Sequence, residues 1–104
     1  MLAAANVGIL VAGELDAAFE RHVGYLVQDC SAATENLLLA AHILGLGACW
    51  VGIYPSESSS QVVKEVLSLP GGIIPMAVIS LGFPGESLPA RTRYQSAHVH
   101  FEKW

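Results

Sequence analysis

Leu44 to Pro55 reads LGLGACWVGIYP: two glycines, a cysteine and a tryptophan directly after a strongly apolar run. That run, QDCSAATENLLLAAHILG from Gln28, is rich in alanine and leucine and has no proline. Its apolar residues Cys30, Ala33, Leu37, Ala41 and Leu44 follow the three-and-four spacing of a helix. The spacing predicts one long helix, with Asp29 near its start suiting the helix dipole. Leu38, Leu39, Ala40 and Ile43 keep the remaining faces apolar, so the helix is expected to be buried nearly all round. Gly45 or Gly47 then falls where a left-handed C-cap sits, which makes the Gly-Leu-Gly a helix stop. It is not a dinucleotide fingerprint: that motif follows a strand and opens a helix, and its third glycine position here is Trp50. There is no Lys-Ser or Lys-Thr pair for a phosphate loop either.

Beyond the turn, Ala48 to Tyr54 reads as extended, and Pro55 with SESSS makes a loop. Ser58 and Gln61 match a capping box opening a short helix, Ser59 to Ser68, with Val62, Val63, Val66 and Leu67 on one face. Pro70, Gly71 and Gly72 are expected to end it. Ile73 to Leu81 (IIPMAVISL) is the strongest strand signal, with Pro75 near its start and Gly82, Pro84 and Gly85 closing it. Upstream, Val7 to Ala12 (VGILVA) reads as a buried strand ended by Gly13, and Ala17 to Tyr25 as the entry to a helix. At the other end, HVHFEKW alternates, with Val99, Phe101 and Lys103 facing one way and His98, His100 and Glu102 the other. A strand there could pair with its own sheet or with a neighbour's edge.

With 104 residues the chain fits a single domain, 1–104, and one modest core. Yet 53% of its residues are hydrophobic and only 13% charged, against roughly 45–50% and about 25% in ordinary soluble domains. This surplus of apolar surface calls for a partner chain, a membrane or a large ligand. Leu37 to Tyr54 is long enough to raise the question of a membrane span. Gly45 and Gly47 interrupt it, though, and no basic cluster flanks it, so no membrane role is expected. A net charge of -4 removes the electrostatic basis for binding nucleic acid. The apolar N-terminus has no basic residue before Arg21 and reads as a strand, not as a leader. Cys30 and Cys49 sit in apolar surroundings without a Cys-x-x-Cys or Cys/His pairing, which suits reduced thiols and a cytoplasmic location.

Catalytic side chains are scarce. His98, His100 and Glu102 are acceptable metal ligands, but three residues of one strand rarely converge on an ion, and a solvated face is the better reading. His42, inside the long helix, has no acidic partner nearby in sequence and reads as a core or interface histidine. No Gly-x-Ser-x-Gly elbow is present. Arg91 and Arg93, two apart on an extended segment after Pro89, point to the same side and could grip a phosphate by charge-assisted bonds.

Taken in order, QDCSAATENLLLAAHILGLGACWVGIYP (Gln28 to Pro55), VLSLPGGIIPMAVISLGFP (Val66 to Pro84) and PARTR (Pro89 to Arg93) resemble the nitroreductase family of FMN-dependent enzymes. The resemblance implies an α+β fold with a mixed, mainly antiparallel sheet flanked by helices, and two subunits interlocked as a homodimer around long helices. It also implies an FMN at the dimer interface that takes hydride from NAD(P)H and passes electrons to a small-molecule acceptor such as a nitroaromatic or a quinone. Val51 and Gly52 match the family's segment beside the isoalloxazine ring, and Arg91 and Arg93 match the basic pair on the flavin phosphate. No side-chain acid or base, and no metal, is required. The family's opening helical segment, with an Arg-x-Ser-x-Arg type motif, and the Asn-containing stretch after it have no counterpart in these 104 residues. The chain is therefore expected to correspond to the C-terminal part of a nitroreductase. The alternative expectation is a cofactor-free dimer that keeps the scaffold as a binding or structural module.

Overall fold

The computed structural model of the chain describes residues 2–87 and 89–104. Three apolar runs form strands: β1 (Val7–Glu14), β2 (Gly47–Gly52) and β3 (Ile73–Gly82). They make one sheet in the order β1-β3-β2, with both pairings antiparallel. As the middle strand, β3 has neighbours on both edges and side chains covered on both faces. Met76, Ala77 and Ile79 are accordingly buried. Opposite β3, Val11 pairs with Ala77 but Ala12 pairs with Pro75, so Met76 is the extra residue of a β-bulge. Pro75, which has no N–H to give, sits beside this bulge, where the ladder is locally interrupted. The Met76 carbonyl accepts instead from the Ile53 and Tyr54 N–H groups, at 3.0 and 3.2 Å.

The long helix α1 (Val23–Ile43) begins five residues before Gln28. Two short 3-10 turns, Leu15–Ala17 and Phe19–Arg21, lead into it where the sequence suggested a helix entry from Ala17. His22 is its N-cap, with Nδ1 accepting from the Gly24 N–H at 3.1 Å. At the other end the Leu46 N–H bonds to the Ala41 carbonyl at 2.9 Å and the Gly45 N–H to the His42 carbonyl at 3.0 Å. With Gly45 at φ 74°, this is a Schellman motif. Gly45 is therefore the cap of the pair, and Gly47 opens β2.

Leu26 and Cys30 on α1 pack with Met76 as the core, joined by Val11, Leu15, Ala18, Val27 and Ile74. The helix can lie this close because position 13 has no side chain. A Cβ on Gly13 would run into Leu26 Cδ1 and stand 3.2 Å from Cys30 Sγ. Burial of α1 on all sides is not met within one chain. Only Leu26, Cys30, Thr34 and Ala41 are fully buried, while Leu39, Ile43 and Leu44 are exposed. The reason is geometric: one sheet covers one stripe of a helix.

The second helix, α2 (Glu57–Leu67), borders the other face of the sheet, where Val62, Val63 and Val66 share a groove with Gly8, Leu10 and Val78. It starts two residues before Ser59, because the cap is Ser56 and not Ser58. Ser56 Oγ accepts from the Ser59 N–H at 3.3 Å. Gln61 does not reach back to close a capping box; its amide donates forward to Glu65 at 2.7 Å. The helix stops at Ser68, itself left-handed at φ 51°, before Pro70 and the two glycines are reached.

Within one chain, HVHFEKW does not add a strand to its own sheet. Ser96–His98 is a 3-10 turn and the His100 ring stacks on Trp104 with centroids 4.4 Å apart. Alternation makes a strand only beside a neighbour that supplies hydrogen bonds, and none is paired with this segment. The shared face of His98, His100 and Glu102 disappears with it. Among the described residues, no three His, Cys, Asp or Glu side chains gather as a metal site, and no helix is long and apolar enough to cross a membrane.

The chain exposes 8064 Å² of surface, whereas a compact protein of this mass exposes roughly 5,600 Å². Its radius of gyration is 16.4 Å, against about 13 Å for a compact domain of this length. Leu39 and Ile43 on α1 and Leu44 at its C-cap, together with Phe83, Tyr94, Phe101 and Trp104 on the C-terminal segment, contribute large apolar side chains to that excess.

Candidate functional site

Register sets the site on β2. Trp50 and Gly52 lie opposite Ile79 and Ala77, on the face that α1 covers, whereas Val51 lies opposite Val78 on the face toward α2. Val51 and Gly52, chosen together from the sequence, thus present opposite faces and share only a stretch of backbone. Val51 is half-buried and Gly52 exposed.

Apart from Gly52 itself and its two chain neighbours, no atom of the described residues lies within 4 Å of where a Cβ on Gly52 would be. Among the described residues nothing crowds the position, which leaves its backbone open to approach from outside. Beside it a cavity of about 80 Å³ runs between the sheet and α1, with Trp50, Tyr54 and Ala77 on one wall and Cys30 and Thr34 on the other. Sequence reasoning missed Trp50 and Tyr54 as parts of this site. The signal was available: the two-residue step Trp50, Gly52, Tyr54 places them along one side of the segment.

The cavity carries little polar chemistry. Thr34 is fully buried, and its Oγ1 donates to the Cys30 carbonyl at 2.8 Å, which occupies its proton. Burial, and to a lesser degree the Asp29 carboxylate, pushes the Cys30 thiol up from its ordinary value. A thiol held protonated in this way is a packing group and not a nucleophile. Cys30 and Cys49 are both free thiols.

Arg91 and Arg93 lie on an irregular stretch of the C-terminal segment, both exposed. Neither lines the cavity beside Gly52. Among the described residues the one ion pair is Arg21 with Asp16, at 3.5 Å, so no carboxylate neutralises the two C-terminal guanidinium groups. The two arginines and the cavity beside Gly52 therefore do not form one lined site among the described residues of a single chain. His42 is exposed in the last turn of α1 and does not belong to the core of the free chain. An imidazole there suits the negative end of the helix.

Residues 1–83 match the sequence profile of the Nitroreductase family. A candidate NADH dehydrogenase/NAD(P)H nitroreductase of Methanothermobacter thermautotrophicus is 43% identical over 104 residues, which is all of this chain and 53% of that protein. The crystal structure of a candidate NADH dehydrogenase/NAD(P)H nitroreductase from Bacteroides thetaiotaomicron matches with a TM-score of 0.87 at 36% identity, over 96% of this chain and 56% of that one. A candidate nitroreductase from Desulfovibrio desulfuricans, crystallised in complex with FMN, matches with a TM-score of 0.76 at 30% identity, over 96% of this chain and 56% of its own. The chain thus spans about half the length of these relatives.

Proposed function

The chain belongs to the nitroreductase family, and on that premise we propose that it serves an FMN-dependent oxidoreductase, passing electrons from NAD(P)H to a nitroaromatic, a quinone or a similar acceptor. The observation that carries the reading is the open backbone at Gly52. It stands beside Trp50 and Tyr54, in a fold shared with a relative crystallised with FMN.

Gly52 lets a planar ring approach the β2 backbone without meeting a side chain, and the adjoining Val51 peptide continues that surface. Arg91 and Arg93 supply two permanent positive charges suited to a phosphate dianion by charge-assisted, bidentate hydrogen bonds. Bound to these residues, the flavin supplies the two-electron redox chemistry that no side chain of this chain offers. The protein's own part is to hold the ring and phosphate and to exclude water.

A homodimer belongs to the same proposal. Its support is the surplus surface of the free chain, with Leu39 and Ile43 on α1 and Leu44 at its C-cap exposed. Interfaces of obligate dimers bury about 2,000–5,000 Å² in total. A second reading, a cofactor-free dimer acting as a binding or structural module, is favoured by one observation: in a single chain the cavity beside Gly52 is small, about 80 Å³.

The test is equilibrium binding of FMN and of riboflavin, which lacks the phosphate, to the wild-type chain and to the Arg91→Ala/Arg93→Ala double variant. The proposal expects saturable FMN binding that the double variant loses, with riboflavin binding equally weakly to both. FMN binding unchanged in the double variant would remove the arginines from the site. No FMN binding to any folded form would favour the cofactor-free reading.

A further inference from the structure

We draw no further inference here: the strongest candidate, the apolar groove of about 300 Å³ between α2 and the β1 side of the sheet, lined by Leu10, Val62, Val66 and Val78, stands open in a single chain, and nothing in the structure shows what covers it.

Discussion

The Leu26 side chain fills the space where a side chain on Gly13 would stand, so α1 and β1 touch through a leucine on one and bare backbone on the other. Gly13→Ala overpacks that contact and should destabilise the fold by about 1–3 kcal/mol. Leu26→Ala alone leaves a cavity and should cost about 2–5 kcal/mol. The double variant should be less destabilised than the sum of the two, because each change relieves the other. Urea unfolding followed by circular dichroism, at fixed protein concentration, measures all three; strict additivity would mean that the two residues do not share the space.

The two helix ends predict stability changes of opposite sign. Gly45 is left-handed and closes the Schellman motif of α1, so Gly45→Ala should cost about 1 kcal/mol. Ser68 takes the same conformation at the end of α2, where its N–H bonds to the Glu65 carbonyl and the Leu69 N–H to the Lys64 carbonyl at 3.0 Å. Ser68→Gly should therefore raise stability by up to about 1 kcal/mol. A lower thermal midpoint for Ser68→Gly would contradict the backbone argument.

These end points also show how far the sequence could be read. A glycine stop at Gly45 or Gly47 was legible because a glycine after an apolar helical run has one common use, and β3 because IIPMAVISL is almost wholly apolar; the backbone then selects Gly45. Ser56 was overlooked because four serines in SESSS offer the same cap chemistry, and only the backbone selects among them. HVHFEKW adds no strand to its own sheet, because alternation is a property of the segment alone, whereas pairing needs a neighbour. At the site, the resemblance singled out Gly52, and the structure shows open space beside it. Which face of β2 lies under α1 came only with the register against β3, which puts Trp50 and Gly52 on that face and Val51 on the other.

Cys30 gives a pH prediction. Its thiol is raised by burial and by Asp29 above an ordinary value of 9.0. Below about pH 9 the folded and unfolded chains both keep the proton, and the full stability is present. Above it the unfolded chain ionises first, so stability falls as pH rises until the buried thiol ionises too. Cys30→Ala should be less stable near neutrality but show a flatter alkaline decline than wild type. In the native protein, half-buried Cys49 should react with a thiol reagent before Cys30, and equal rates would show that Cys30 is not shielded.

Leu39 and Ile43 lie on the exposed side of α1, away from the Leu26, Cys30 and Thr34 stripe. If a second copy covers them, Leu39→Glu/Ile43→Glu should convert a dimer into a monomer in sedimentation equilibrium while leaving helix content intact. A wild-type monomer at micromolar concentration, or a dimer unchanged by both substitutions, would exclude α1 as the interface.

The most direct test of the flavin reading is a visible absorption spectrum of the purified chain, taken after FMN is added and unbound flavin is removed by gel filtration. The account predicts a flavin band that travels with the protein and bleaches anaerobically when NADH or NADPH is added. A folded protein that carries no flavin through the column, or flavin that neither nucleotide reduces, would contradict it.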